Sequence, residues 1–203
     1  MNNLKQPFII VILAALLSSC ITQPKRSVDY VDPFICTQGD HGHWLPAALA
    51  PFGLVELCPD TYPGSLIADG DFAHSGYDYS DSQIRGFSHM HRGSSGGGSI
   101  HDRAGHISLV PFTTVLSDTF FVNPVLDIDK KTETASAGYY KVHLTQQNIL
   151  AELTATTRTG FHRYSFPEEK PAKLFLNSGK RGSSISCTLV SPTRLEGAVG
   201  NRY

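Results

Sequence analysis

Apolar and polar residues alternate with period two through the second half of the chain, the spacing that puts successive side chains on opposite faces of a β-strand. In Tyr139–Leu144, Tyr140, Val142 and Leu144 fall on one face and Lys141 and His143 on the other. In Ile149–Thr157, Ile149, Ala151, Leu153 and Ala155 fall inward against Glu152, Thr154 and Thr156. Gly160–Phe166, Ala172–Leu176, Ser184–Val190 and Thr193–Val199 follow at short intervals, a rhythm that predicts a β-sandwich meander. No segment of helical length holds an i, i+3, i+4 apolar spacing. The last run ends at Gly200–Tyr203 with no turn or cap, which predicts a sheet that stops before it is complete.

The first residues have another character. Lys5 precedes an unbroken apolar run, Phe8–Leu17, and Leu17-Ser18-Ser19 brings small residues up to Cys20. Ten apolar residues are too few for a membrane span of about 20 but suit an export signal. The Leu-Ser-Ser-Cys order resembles a bacterial lipobox, so Cys20 is expected to be lipidated and to become the new N-terminus. Residues 1–19 are then a lipoprotein signal peptide, 20–27 a lipidated tether and 28–203 the folded domain. The protein is expected to be exported and lipid-anchored to a bacterial membrane.

Composition narrows the function. With 17 Lys plus Arg against 18 Asp plus Glu, the net charge is -1 and there is no concentrated basic surface for nucleic acid. Beyond Cys20 only Cys36, Cys58 and Cys187 remain, an odd number that allows one bridge at most, and buried free thiols are expected.

Between Val31 and Pro111 the pattern changes: 12 of the 18 glycines, seven of the nine histidines and the single tryptophan lie here, and loops are expected to carry the content. Three clusters stand out: Gln38–Trp44, Ser75–Asp81 and Phe87–Gly96. Aromatic rings beside Asp, His and Arg suit a sugar, whose apolar C–H face stacks on a ring while its hydroxyls need donors and acceptors. The pairs His41 with His43 and His89 with His91 would each share a strand face, but no third ligand stands at a recognisable metal spacing. Gly96-Gly97-Gly98 opens no helix and belongs to no Walker motif, so it reads as a loop. Asp78 and Asp81, three residues apart in turn-rich sequence, read as surface or capping carboxylates rather than an acid/base pair.

Together the motifs resemble the N-terminal domain of family 92 glycoside hydrolases. The resemblance rests on Val31-Asp32-Pro33-Phe34-Ile35 with Thr37, the Gly39–His43 turn, Pro51–Thr61, Ser75–Asp81 and Gly86–His89. It continues through Glu133–Ser136 with Gly138-Tyr139-Tyr140, Ala151–Thr156, Arg158 and Gly160–Tyr164. It implies an exo-acting, calcium-dependent, inverting α-mannosidase whose N-terminal β-sandwich, a supersandwich-like all-β domain, packs on a C-terminal (α/α)6 barrel. The barrel, which supplies the general acid, the general base and most calcium ligands in the family, would lie beyond Tyr203. The chain is therefore expected to be a fragment, inactive alone, with neither catalytic residues nor a metal site of its own.

What the resemblance leaves to this chain is the wall of the terminal mannose pocket, with His41, His43, Phe72, Tyr77, Asp78, His89 and His91 as contacting or supporting positions for a mannose-containing glycan. Departures from the family pattern bear on substrate preference: Cys36 replaces a usual Gly, Trp44 a Thr or similar residue, and Pro46-Ala47-Ala48 a Pro-Gly-Ala. Phe72 and His74 stand where a Trp and a Cys are common, and Gly105-His106 where a Gly-Asp is usual. Two other readings stay open: a non-catalytic glycan-binding surface lipoprotein, and a gene fragment without independent function.

Overall fold

The computed structural model describes residues 24–38, 44–61, 75–91, 105–114, 117–177 and 183–201. The signal segment, Cys20, His41, His43 and Phe72 lie outside these residues. The chain divides into two units at Tyr30. Of the first, the described part is a short 3-10 turn, Ser27–Tyr30, closed by an Arg26–Asp29 ion pair of 2.9 Å.

Val31 onward is built of strands: β1 (Ala48–Leu49), β2 (Glu56–Asp60), β3 (Gln83–Ile84), β4 (Gly86–Met90), β5 (His106–Phe112), β6 (Leu126–Ser136), β7 (Tyr139–Leu144), β8 (Ile149–Ala155), β9 (Gly160–Ser165), β10 (Lys173–Asn177), β11 (Ser183–Ser191) and β12 (Arg194–Asn201). One helix of five residues, α1 (Asp118–Val122), sits between β5 and β6. The fold is all-β. One five-stranded sheet runs β1-β2-β4-β5-β10, a second runs β3-β6-β7-β8-β9, and β11 pairs with β12 as a hairpin. Every pairing is antiparallel.

The predicted alternation is realised in β7 and β8. Tyr140, Val142, Leu144, Ile149, Ala151 and Leu153 are all buried and meet Leu57, Phe87 and Val110 of the first sheet in one core. Burying each large side chain of this kind is worth about 1.5–3 kcal/mol, and this removal of apolar surface from water holds the two sheets face to face. In β6 the alternation changes phase: Leu126 and Ile128 point inward before the Asp129–Thr134 register shift, Glu133 within it and Ala135 after it. A β-bulge does this, since extra residues on one strand turn the following side chains over. Thr132 Oγ1 accepts from the His143 backbone N–H at 3.0 Å across the irregular stretch.

Two expectations are corrected. The glycine- and histidine-rich region is not loop alone, because β1 to β5 lie in it. Of the three thiols expected to be buried, Cys58 is, whereas Cys36 and Cys187 are exposed; all three are free.

Candidate functional site

The described candidates fall into four separate settings. Tyr77 is wholly buried, and its hydroxyl donates to Oε1 of Glu133 at 2.7 Å. Tyr140 donates to the same oxygen at 2.6 Å, and Lys130 pairs with Oε2. The Lys130 ammonium also lies 4.0 Å from the centre of the Tyr79 ring. Burial foremost, and then the Glu133 charge, push the Tyr77 hydroxyl pKa far up, so it stays a donor. Tyr77 holds the domain together from inside.

Asp78 is 1% exposed, and Asp81 is buried as well, so neither is a surface carboxylate. Asp78 does cap a turn: its Oδ1 accepts the Ser80 backbone N–H at 2.8 Å, and its own N–H donates to Thr61 Oγ1 at 2.8 Å. Among the described residues its buried Oδ2 has no hydrogen-bond partner. An unmet buried acceptor costs about 1–3 kcal/mol.

His89 and His91, expected to share a strand face, bond to different elements. β4 ends at Met90, one residue before His91. His91 Nε2 lies 3.1 Å from Asp60 Oδ1 and 3.1 Å from Ser88 Oγ, and its Nδ1 is 3.2 Å from the Glu56 carbonyl. Asp60 is the hub, since its Oδ1 also accepts the Gly105 N–H at 2.9 Å and its Oδ2 lies 2.7 Å from the Ser88 hydroxyl. Serine, histidine and aspartate thus meet, but not as a nucleophilic triad: the Ser88 proton goes to the carboxylate, and the His91 ring is fully buried. A Cβ at Gly105 would stand 2.0 Å from Ser88 Oγ, so glycine is required for the approach.

His89 points between the sheets. Its Nδ1 is 2.7 Å from the Ile107 carbonyl, an acceptor only, so Nδ1 carries the hydrogen. Its Nε2 lies 3.1 Å from His162 Nε2, and His162 Nδ1 lies 2.8 Å from the Tyr164 hydroxyl. With both rings neutral, one directional relay results: Tyr164 O–H donates to His162, His162 N–H to His89, and His89 N–H to Ile107. Burial first, and His89 second, lower the His162 pKa to about 3, so the ring is neutral at ordinary pH. Ile107 has φ of 57°, a left-handed conformation that a β-branched residue adopts at a cost of about 1–3 kcal/mol.

His89 also lines a cavity of about 370 Å³ between β5, β10 and the β11–β12 hairpin. Most of the remaining wall is apolar: Leu109, Leu174, Leu176, Leu195 and Val199, with Cys187 and Glu196 beside them. Only His89 among the described candidates reaches it. Motif reading missed His162, Tyr164 and Asp60. The period of β9 carried a signal for the first two, because alternation sets His162 and Tyr164 on the side of Gly160, away from the exposed Phe161 and Arg163.

Residues 30–202 match the glycosyl hydrolase family 92 N-terminal domain. The chain belongs to this family. It is 28% identical, over 93% of its length, to an uncharacterised secreted glycosidase of Arthroderma benhamiae, of which it covers 23%. The α-mannosidase BT3965 of Bacteroides thetaiotaomicron, solved with mannoimidazole, superposes on 85% of the chain with a TM-score of 0.70 and 26% identity. The family 92 hydrolase ccman5 does so on 87% with 0.68 and 30%, and the inverting mannosidase BT2199 of B. thetaiotaomicron on 88% with 0.66 and 26%. The chain spans 23–24% of those three enzymes.

The calcium that the family resemblance implies finds no fitting donor set here. Calcium takes 6–8 oxygen ligands, and among the described residues no group of three or more His, Cys, Asp or Glu side chains is placed to hold a metal ion. The unmet Asp78 Oδ2 is one carboxylate oxygen alone.

Proposed function

We propose that the chain is the N-terminal, pocket-forming part of a calcium-dependent, inverting exo-α-mannosidase that acts on mannose-containing glycans. The supporting observation is the family match along almost the whole folded domain, together with its likeness to solved α-mannosidases. In an inverting glycosidase a carboxylic acid protonates the leaving oxygen while a carboxylate about 6.5–9.5 Å away activates water on the opposite face of the sugar. Neither group belongs to this chain in our reading. Both, and the calcium ligands, come from the (α/α)6 barrel of the complete enzyme.

The chain's part is to bind and orient the terminal mannose. His41, His43, Phe72 and His89 contact or flank the sugar, His89 with a ring held at both nitrogens by the Ile107 carbonyl and His162. Asp78, Tyr77 and His91, whose side chains are buried, are supporting positions rather than contacts. Such positioning acts by holding the sugar in a reactive geometry rather than by proton transfer. The protein is exported, and a lipid on Cys20 holds it at a bacterial membrane.

The test is mannose release from α-mannosides with calcium present. The 203-residue chain alone gives none above background. The enzyme encoded by a reading frame continued past Tyr203 releases mannose with inverted anomeric configuration, and His89→Ala within it lowers kcat/KM. Robust release by the chain alone overturns the reading.

A further inference from the structure

The outward faces of β7, β8 and β9 carry two ordered rows of side chains. The register sets Tyr139 beside Thr154 and Thr154 beside Phe161; in the next row Lys141 stands beside Glu152 and Glu152 beside Arg163. Adjacent strands lie about 4.8 Å apart, so the Tyr139 and Phe161 side chains start roughly 10 Å from each other with Thr154 between them. Phe161 is 52% exposed. A depression of about 340 Å³ opens over this patch, lined by Tyr139, Glu152, Thr154, Phe161 and Arg163, with Leu153 and His162 between them.

The hydrogen bonds within the patch leave a defined remainder. Glu152 accepts from the Tyr139 hydroxyl at 2.5 Å and from Nε and Nη2 of Arg163, both at 2.6 Å. That fork uses two of the five guanidinium N–H groups, and the other three stand on a side chain 74% exposed. Tyr139 gives its hydroxyl hydrogen to Glu152, and Thr154 gives its own to the Gly138 carbonyl at 2.8 Å, so both oxygens keep acceptor capacity. Free donors, free acceptors and two aromatic rings therefore share one wall, and the fork keeps the Arg163 plane in place.

We propose that this face is a second glycan site, one that binds an uncharged oligosaccharide. The rings take the C–H faces of two sugar units across the platform, Arg163 donates to hydroxyls, and Thr154 and Tyr139 accept from them. The wall sets the ligand class: the Glu152–Arg163 fork is neutral, Lys141 beside it leaves the row with one positive charge that repels a cation, and the ring faces with the Thr154 and Tyr139 acceptors call for C–H faces and hydroxyl donors rather than an anion. His89 does not line this depression; His162 does, but the His162 ring bonds His89 and alternates along β9 with Phe161 and Arg163. The site does not depend on the chain being part of a mannosidase.

Affinity electrophoresis of the full chain tests it, with an uncharged α-mannan in one gel and an anionic polymannuronate in another. Migration should be retarded by the mannan. Phe161→Leu, which keeps bulk but removes the ring, should weaken the retardation about tenfold or more, and Arg163→Gln should weaken it too, both with unchanged thermal melts. Tyr139→Phe keeps the ring and removes only the hydroxyl, so a smaller loss is expected. No retardation of the unmodified chain, equal retardation of the Phe161 and Arg163 variants, or retardation by the anionic polymer alone would each overturn the proposal.

Discussion

His89 and His162, 73 residues apart in the chain, meet nitrogen to nitrogen at 3.1 Å between the two five-stranded sheets. Their rings lie 4.7 Å apart between centroids. Because the folded chain holds His162 neutral down to about pH 3 while its ordinary pKa is 6.5, the unfolded chain takes up a proton in that interval that the folded chain refuses. The associated stability is complete above pH 6.5 and is lost as pH falls toward 3. Urea denaturation between pH 7 and pH 4 should show stability falling, with this residue contributing a slope of up to about 1.4 kcal/mol per pH unit. His162→Gln should remove that slope; an unchanged pH profile in the variant would show that His162 is not the group responsible.

The half of this contact that motif reading missed shows where sequence legibility ends. β7 to β9 were readable because each buries one face, and one buried face writes a period of two into the sequence. β2 was not: its residues from Leu57 to Asp60 are buried without alternation, and Pro59 inside it argues against a strand. β4 is similar, with Gly86, Phe87 and Ser88 all buried. The inward face of β9 could be read locally, but the partner of His162 is fixed by how two sheets stack. The same holds for Asp60, whose partners Ser88, His91 and Gly105 come from three later positions in the chain.

Asp60 should be among the most sensitive positions for folding. Asp60→Ala leaves the Ser88 hydroxyl, the Gly105 N–H and His91 Nε2 without their shared acceptor in a buried setting. A loss of about 3–5 kcal/mol is expected, read as a shift of the urea midpoint. Gly105→Ala should be comparably severe, since its Cβ would fall 2.4 Å from Ser88 Cβ and 2.7 Å from the Met90 carbonyl oxygen. A loss below about 1 kcal/mol in both variants would mean that this cluster is not packed as described.

Thiol labelling should separate the cysteines by burial. Cys36 and Cys187 are exposed, while Cys58 is buried and its pKa is pushed up, first by burial and then by the charge of Asp60. The thiolate is the reactive form, so iodoacetamide on the native protein should modify Cys36 and Cys187 and spare Cys58 until denaturant is added. Peptide mapping reads the result, and early modification of Cys58 would contradict its burial.

Anchoring can be read in cells. Cys20→Ala should move the protein from the membrane to the soluble fraction, because lipid chains supply the membrane affinity in the proposed arrangement. Unchanged membrane retention of the variant would remove the lipid from the account.

Tyr77 and Tyr140 should be coupled through the single oxygen that they share. Each hydroxyl donates to Glu133 Oε1, at 2.7 and 2.6 Å, inside the core. Tyr77→Phe leaves that oxygen served by Tyr140, and Tyr140→Phe leaves it served by Tyr77, so each single variant should lose about 1.5–3 kcal/mol, the worth of one bond to a charged group. In the double variant the oxygen keeps neither donor, and Lys130 pairs with the other oxygen, Oε2. A buried carboxylate oxygen is then unmet, an added penalty of about 1–3 kcal/mol that neither single change incurs. The double-mutant cycle, measured by urea denaturation at pH 7, should therefore show losses that exceed their sum by about 1 kcal/mol or more. Additivity within about 0.5 kcal/mol would mean that the two hydroxyls act on Glu133 independently, against the geometry in which they converge on one atom.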